Sequence, residues 1–415
     1  MNRSPDIGQL IDVIAADPML RQELADVRSA DAFADACATV AEAHSLGVSA
    51  AEVRDRLLRH GIAWQLRHIT PAGTPEVASE RSFAGWVPIH IFPDGPRSEV
   101  LWSMLGVSRF DDPFFAQTVT GALSSPLATL LHRHTSLVEL IAASERETAV
   151  EPAGFVFHVS RCGSTLVSQM FARVPRIISI SEAQPLTAVA GDSRLSATDR
   201  GSAFRALIRL YGRKTSGNET ASLFKFGARE LFAWRAIREI YPHVPRVVLH
   251  RDPVEVIVSN ILQGSETTLP GNLPPGVLCQ PPQPVSSAED YAAFVLWRIY
   301  AWAAEAARAD GSLTIRYSDL PKAVEALIAP HFGIALDEVE RVAMRGVAHL
   351  YAKDPDPTVV FTPDSARKQA RADASTRAWV SNWFHDSCGE LAAWTHPLPS
   401  EDLESRVFRE ASSSS

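Results

Sequence analysis

The sequence predicts an α/β domain, with a parallel sheet flanked by helices, joined to an additional N-terminal domain that is mostly helical. After residue 150, short apolar runs of strand length alternate with helical stretches, which is typical of a parallel sheet. Apolar residues recur at helical spacing through residues 1–65. The chain has 415 residues, more than one hydrophobic core usually absorbs. We therefore divide it into residues 1–150, residues 151–400 and a polar C-terminal tail at 401–415.

The first domain adds an extended segment to its helices. Residues 86–93, rich in prolines and aromatic residues, predict an extended chain. Residues 109–115 predict a turn that enters a helix, and we interpret His132 and His134 as solvated helix residues. Nothing in these patterns assigns a role to the first domain.

The second domain contains the predicted sheet. Its five strands are predicted at residues 155–160, 177–181, 221–226, 246–250 and 313–317. Ligands of parallel sheets bind beyond the carboxyl ends of the strands, so the residues that follow each strand are site candidates. Residues 267–287, rich in proline, predict a long loop that could be a lid or contact an acceptor.

Composition excludes several classes of protein. A formal net charge of −8 disfavours general affinity for nucleic acid, which needs clustered positive charge. No apolar run reaches the length of a membrane helix, and residues 1–20 lack a signal-peptide core, so we expect a cytoplasmic protein without a membrane partner. The 4 cysteines form no C-x-x-C pair, which argues against structural zinc and a disulfide framework.

The first predicted strand ends at the segment Arg161-Cys162-Gly163-Ser164-Thr165. Gly163 allows the backbone to turn closely around a ligand, and the hydroxyls of Ser164 and Thr165 can donate to phosphate oxygens. The following helix directs unpaired N–H groups at an anion, and Arg161 adds a positive charge. The nucleotide kinase motif G-x-x-x-x-G-K-[ST] is absent, because Ser164 stands where its lysine would be. The segment predicts a phosphate cradle for a nucleotide handled without metal, although an ordinary helix N-cap is the alternative.

A second anion site is predicted after residues 246–250, where Arg251-Asp252-Pro253 opens a helix. Ser259 follows Arg251 by eight residues, about two helical turns, so the hydroxyl and the guanidinium could hold one phosphate from two sides. An ordinary helix start is the alternative. Two phosphate sites in one domain predict a ligand with two separate phosphates.

These motifs resemble those of the sulfotransferase family, whose donor is 3′-phosphoadenosine 5′-phosphosulfate (PAPS). The family's 5′-phosphosulfate loop, P-[KR]-S-G-[ST]-T, is similar to residues 160–165, with Ser160 in place of the usual Pro and Cys162 in place of the usual Ser. Its 3′-phosphate motif, R-[DN]-P with a later Ser, matches Arg251 and Ser259. The resemblance implies the P-loop NTPase-like sulfotransferase fold, with motif spacing closest to the protein-tyrosine branch and to bacterial sulfotransferase-like proteins.

The resemblance covers roughly residues 152–394 and implies catalytic roles. Glu182 follows Arg161 by 21 residues, the interval at which the protein-tyrosine branch has a catalytic Glu, which implies that Glu182 is the base. Lys225 resembles that branch's catalytic Lys, which neutralises the leaving oxygen, and Arg161 could share this task. A helix-entry carboxylate and a surface lysine are the structural alternatives for Glu182 and Lys225.

The resemblance also implies roles for residues nearer the C-terminus. Tyr317 lies in a segment that resembles the family's R-Y-x-D-L, which implies a place near the adenosine, although a plain strand end is the alternative. Lys368 is our choice for the basic residue that the family sends over the donor. Residues 351–353 resemble a Ser-Lys segment of the protein-tyrosine branch, with Ala352 in place of Ser. We interpret the Cys162 thiol as a loop filler rather than a nucleophile.

We therefore expect a PAPS-dependent sulfotransferase that acts on a hydroxyl, phenol or amine of a small-molecule or peptide acceptor without a metal. Two alternatives stay open: a P-loop nucleotide kinase or other phosphotransferase, and a non-catalytic module that binds 3′,5′-bisphosphate nucleotides. The expected catalytic residues are Glu182, Lys225 and Arg161, and the expected donor-binding residues are Arg161, Cys162, Gly163, Ser164, Thr165, Arg251, Ser259, Tyr317 and Lys368.

Overall fold

The computed structural model describes residues 5–65, 83–105, 109–273, 276–281, 284–285, 287–350, 364–393 and 395–397. Its helices are α1 Pro5–Ala16, α2 Pro18–Ala25, α3 Ala30–Ala43, α4 Ala50–Gln65, α5 Phe115–Ala122, α6 Pro126–Leu130, α7 Leu137–Glu145, α8 Ser164–Ala172, α9 Gln184–Gly191, α10 Ala197–Tyr211, α11 Trp234–Ile240, α12 Pro253–Gln263, α13 Ala288–Ala307, α14 Ala329–His331, α15 Glu338–Ala348, α16 Ser365–Arg371, α17 Ala374–Trp379 and α18 His385–Ala393. Its strands are β1 Val87–Phe92, β2 Glu99–Ser103, β3 His132–Ser136, β4 Pro152–His158, β5 Ile177–Ser181, β6 Ala221–Lys225, β7 Arg246–His250 and β8 Ser312–Arg316.

The chain forms two compact units. The first comprises Met1–Val150 and Glu182–Gly217, and the second comprises Glu151–Ser181 and Asn218–Ser415. The segment Glu182–Gly217 thus leaves the sheet domain after β5 and contributes α9 and α10 to the first unit. Within that unit, the Gln184 side-chain amide exchanges hydrogen bonds of 3.0 and 3.1 Å with the backbone of Ile91.

The first unit contains a three-stranded antiparallel sheet of order β1-β2-β3, in addition to its helices. The extended segment predicted at 86–93 forms β1, whereas the helical interpretation of His132 and His134 is wrong, because both lie in β3. His132 is buried, and the His134 ring is hydrogen-bonded to the carboxylate of Glu99 on β2. Pairing with β2 satisfies the backbone of this polar segment, which has no apolar alternation to reveal a strand.

The second unit contains the predicted parallel sheet. Its five-stranded sheet has the order β5-β6-β4-β7-β8, and every neighbouring pair is parallel. The five predicted strands are confirmed, two of them with the predicted bounds, two shifted by one residue, and the first shifted at both ends. This strand, β4, ends at His158 rather than at residue 160, because Ser160 and Arg161 adopt left-handed backbone conformations that no strand accommodates.

The interior of the second unit is apolar and aromatic. β6 and β7 are buried at every residue, as expected for central strands of a parallel sheet with both faces covered. The rings of Phe155 and Phe224 pack edge to face with centroids 6.2 Å apart, and Phe157 stacks on Phe226 at 5.0 Å. In the described part of the chain, no helix is long and apolar enough to cross a membrane.

We predict that Gly154→Ala is strongly destabilising, because β4 and the ring of Phe332 are in close contact. A Cβ atom at residue 154 would lie 2.2–2.5 Å from three carbons of that buried ring. Overpacking of this kind typically costs about 1–3 kcal/mol, so the midpoint of denaturant unfolding should fall.

Gly346→Ala is the matched control. Gly346 lies inside α15, and a Cβ atom there meets nothing within 4 Å. Its replacement should raise the free energy of unfolding by roughly 0.5–1 kcal/mol through helix propensity. An unchanged unfolding midpoint for Gly154→Ala would contradict the packing of β4 described here.

Candidate anion-binding site

The loop between β4 and α8 has a strained backbone. Ser160, Arg161 and Gly163 have φ angles of +76°, +50° and +84°. For a residue other than glycine, this region costs roughly 1–3 kcal/mol and is occupied mainly where surrounding structure and function require it. The Ser160 N–H donates to the His158 Nδ1 atom at 3.1 Å, which ties the loop to the end of β4. The strain therefore lies at the carboxyl end of a central strand, where α/β proteins bind ligands.

α8 begins directly after this turn. Gly163 is its N-cap residue and offers no side chain to the first N–H groups of the helix, while Ser164 and Thr165 in the first turn are buried. The first turn of a helix presents backbone donors and a positive dipole end, which together favour an anion. The predicted cradle is thus formed as a strand, a left-handed turn and a helix N-terminus.

The side chains of Cys162 and Arg161 each form hydrogen bonds with residues outside the loop. The thiol of Cys162 is fully buried and donates to the Leu249 carbonyl of β7 at 3.4 Å, as expected for a loop filler. The Arg161 guanidinium donates to Gln263 Oε1 at 2.9 Å and to the Gly264 carbonyl at 2.8 Å. Arg161 therefore joins the loop to the C-terminal end of α12, and its catalytic role stays a prediction.

Arg251 follows β7 and is buried, with a relative exposure of 5%. Its Nε donates to Glu255 Oε2 at 2.6 Å, and its Nη1 donates to the Arg161 carbonyl at 3.2 Å. Its Nη2 donates to Asp364 Oδ1 at 2.7 Å and to Ser365 Oγ at 3.1 Å. Burial alone lowers the pKa of Arg251, but the hydrogen bonds to Asp364 and Glu255 outweigh burial and raise it. The two predicted anion motifs therefore meet directly, through the Arg161 carbonyl.

Tyr317 connects the same two motifs. The Arg251 guanidinium carbon lies 3.9 Å from the centroid of the Tyr317 ring, a cation–π contact. On the other side, a Cβ atom added to Gly163 would lie 3.1 Å from Tyr317 Cδ2. Burial raises the pKa of the Tyr317 phenol, which keeps it a neutral hydrogen-bond donor. The structure thus brings Gly163, Arg251 and Tyr317 together, although 154 positions of the sequence separate the first from the last.

Lys368, on α16, belongs to this cluster through Asp364. The ammonium Nζ lies 2.8 Å from Asp364 Oδ2, and Lys368 is 6% exposed. Burial lowers the pKa of Lys368, against the opposing effect of the Asp364 hydrogen bond. Ser259 is buried on α12, the helix that Arg251 precedes. Ser259 and Lys368 therefore lie on α12 and α16, the two helices that provide acceptors for the Arg251 guanidinium.

Lys225 and Glu182 lie at the ends of the neighbouring strands. Lys225 is the last residue of β6, is 3% exposed, and is in register with Ser181 of β5 and Val156 of β4. Glu182 directly follows Ser181 and has a φ angle of +57°. The non-glycine residues of the described chain with positive φ are Ser45, Ser160, Arg161 and Glu182. Left-handed backbones thus follow both β4 and β5.

Three polar residues of the cluster were not predicted from the sequence: Glu255, Asp364 and Ser365. Glu255 lies in the first turn of α12, four residues after Arg251, a spacing that could have indicated an ion pair. Asp364 is 113 residues from Arg251, and no local pattern indicates that contact.

Residues 351–353, which resemble a Ser-Lys segment, lie outside the described residues. Among the described residues, no group of three or more His, Cys, Asp or Glu could hold a metal ion.

Comparison with known proteins gives distant structural likenesses. No protein-family model and no curated protein matches the sequence. A sulfotransferase domain from the curacin biosynthetic pathway shares 14% identity at a TM-score of 0.34, over 56% of this chain and 98% of that domain. A sulfotransferase from Alicyclobacillus acidocaldarius shares 14% at 0.35, over 59% and 95%. The sulfotransferase domain of a Synechococcus olefin synthase shares 17% at 0.33, over 61% and 98%. Likenesses at these identities and TM-scores do not show an activity for this chain.

We predict that Gly163→Ala is more destabilising than Gly271→Ala. Both glycines have φ near +83°, at +84° and +83°, so both alanines cost about 1–2 kcal/mol of backbone strain. Only at Gly163 would the new Cβ meet neighbours, at 2.7 Å from Leu320 Cδ1 and 3.1 Å from Tyr317 Cδ2. The unfolding midpoints of the two variants should therefore differ, by an amount equivalent to about 1–3 kcal/mol. Equal midpoints would show that residue 163 is not enclosed as described.

Proposed function

We propose that this protein is a sulfotransferase that moves a sulfuryl group from PAPS to a hydroxyl, phenol or amine acceptor. The observation that carries the proposal is the contact between the two anion motifs. The strained cradle before α8 and the buried Arg251 share the Arg161 carbonyl and the Tyr317 ring. A ligand with two phosphates on one nucleoside needs two such sites close together.

The residues of the cluster fit this donor. The N–H groups at the start of α8, with Ser164 and Thr165, would bind the 5′-phosphosulfate. Arg251, Ser259 and Lys368 would bind the 3′-phosphate, for which a guanidinium offers a bidentate geometry. Tyr317, in contact with both sites, is placed to border the adenosine.

The chemistry needs a base and a positive charge at the leaving oxygen. In the transfer, a bond forms between the acceptor oxygen or nitrogen and sulfur, and the bond between sulfur and the 5′-phosphate oxygen breaks. Glu182 would take the acceptor's proton, and the leaving group is 3′-phosphoadenosine 5′-phosphate. Lys225, with Arg161, would stabilise the charge that develops on the phosphate oxygen. As in phosphoryl transfer, positioning and electrostatics then supply most of the rate enhancement.

The backbone supports a functional role for Glu182. Its left-handed conformation directly follows Ser181, the register partner of Lys225. A helix-entry carboxylate has no need of such a conformation, whereas strained residues are common in active sites. We further propose a small-molecule or peptide acceptor, a cytoplasmic location, and no nucleic-acid or membrane partner, in keeping with the net charge of −8.

We predict that Arg251→Ala weakens binding of 3′-phosphoadenosine 5′-phosphate by roughly 1.5–3 kcal/mol, through loss of a charge-assisted hydrogen bond. Arg251→Lys should recover only part of this loss, because an ammonium lacks the forked geometry. Calorimetric titration of the full chain measures both, with ATP as the comparison ligand. Wild-type protein should bind ATP much more weakly, since ATP has no 3′-phosphate.

Equal affinity for the two nucleotides would refute the proposed donor. A requirement of ATP binding for Mg²⁺ would revive the kinase alternative. Bisphosphate binding without transfer to any acceptor, over a broad screen, would favour the non-catalytic module instead.

We predict that Glu182→Gln lowers single-turnover sulfuryl transfer by roughly a hundredfold to ten-thousandfold, because the amide cannot accept the acceptor's proton. Affinity for 3′-phosphoadenosine 5′-phosphate should change little. Lys225→Ala should slow transfer and also modestly weaken nucleotide binding, since its charge acts in both the ground state and the transition state.

Glu151→Gln is the matched control for the first variant. Glu151 is exposed and directly precedes β4, at the amino end of the sheet, so this amide should leave transfer unchanged. Near-normal transfer by Glu182→Gln would remove Glu182 from the mechanism. Joint loss of folding and nucleotide binding would assign it a structural role instead.

A further inference from the structure

Arg251 has an acceptor at each of its three guanidinium nitrogens. Nε is held by Glu255, Nη1 by the Arg161 carbonyl, and Nη2 by Asp364 and Ser365. The Tyr317 ring covers one face of the guanidinium at 3.9 Å. An incoming phosphate must therefore approach along an edge of the guanidinium, where an acceptor already lies at each nitrogen.

Asp364 occupies the position between two cations. Its Oδ1 accepts from Arg251 at 2.7 Å, and its Oδ2 lies 2.8 Å from Lys368 Nζ. Only 15% of the Asp364 side chain is exposed, so the carboxylate is well shielded from water. Burial raises the pKa of Asp364, but the hydrogen bonds from Arg251 and Lys368 outweigh burial and lower it, so the group is an anion at neutral pH.

We infer that Asp364 is an internal anion that stands in the place of the donor's 3′-phosphate and competes with it for Arg251 and Lys368. This inference rests on the proposed function, because it concerns the site assigned to that phosphate. Asp364 presents two oxygens, one to each cation, as two oxygens of a phosphate would. A phosphate dianion beside this carboxylate would be repelled, so Asp364 must turn away when the phosphate binds.

Glu255 does not share this role. It lies in the first turn of α12, four residues after Arg251, its backbone N–H donates to the Asp252 side chain, and it accepts from Nε rather than from Nη2. It also accepts from Ser365 Oγ at 2.8 Å, which holds it in place. Glu255 therefore fixes the orientation of Arg251, whereas Asp364, from a segment 113 residues away, is the exchangeable partner.

The exchange has a consequence for affinity and selectivity. Arg251 and Lys368 carry two positive charges, and Glu255 and Asp364 carry two negative charges, so the cluster is neutral without a ligand. Binding of a 3′-phosphate must replace the two charge-assisted contacts of Asp364, which lowers affinity for the donor. A nucleotide that lacks a 3′-phosphate leaves these contacts intact, so its affinity does not depend on Asp364.

The test is calorimetric titration of wild-type protein and Asp364→Asn with 3′-phosphoadenosine 5′-phosphate and with adenosine 5′-monophosphate. Asparagine keeps the size of the side chain and removes its charge. Affinity for the bisphosphate should rise about tenfold to a hundredfold, the equivalent of one charge-assisted hydrogen bond. Affinity for the monophosphate should stay within about twofold, a difference well below the energy of such a bond.

Two further variants make the result specific. Asp364→Ser also removes the charge and retains a good residue for the N-cap position of α16, so it replaces the asparagine variant if that one fails to fold. Glu338→Gln changes the net charge equally at an exposed ion pair with Arg345, and it should leave both affinities unchanged. If Glu338→Gln raised bisphosphate affinity as much as Asp364→Asn does, the gain would be a general charge effect, and the inference would be overturned.

Unchanged or weaker bisphosphate binding by Asp364→Asn and Asp364→Ser would also overturn it, because Asp364 would then orient the cations rather than compete for them. In that case, wild-type protein would still bind the bisphosphate in preference to the monophosphate, and the proposed function would stand. Failure of every form of the protein to bind the bisphosphate would instead refute the proposed function, and this inference with it.

Discussion

The buried guanidinium of Arg251 is the interaction on which the rest of the site depends. It directly follows a central strand, β7, and its donors reach the cradle loop, α12 and the start of α16. A buried cation is stable only when its donors are satisfied, so these contacts also fix the segments that provide the acceptors. Arg251 therefore determines how three separate parts of the second unit are arranged at one edge of the sheet.

The strained backbone before α8 depends on the same arrangement. Left-handed conformations at Ser160 and Arg161 are unfavourable in isolation, and here the Arg161 carbonyl accepts from Arg251 while the Arg161 side chain holds the end of α12. The central sheet provides a rigid base, because its strands are buried and continuously paired. A preformed turn of this kind can bind an anion without further ordering of the backbone.

Local sequence patterns predicted those parts of the structure that local physics determines. The buried strand at residues 246–250 and the helix after Arg251 follow from an apolar run and a proline, within a few residues of each other. Strand β3 was missed, because its polar residues form a strand only through pairing with β2. The contact of Asp364 with Arg251 and the packing of Glu182–Gly217 in the first unit depend on tertiary structure, which no local spacing encodes.

A crystal structure of the protein with 3′-phosphoadenosine 5′-phosphate tests the central claim most directly, because it shows where each phosphate binds. The account predicts the 5′-phosphate at the N-terminus of α8, near Gly163 and Ser164. It predicts the 3′-phosphate within hydrogen-bonding distance of Arg251, with the adenosine beside Tyr317. A nucleotide bound elsewhere, or one whose 3′-phosphate makes no contact with Arg251, would contradict the account.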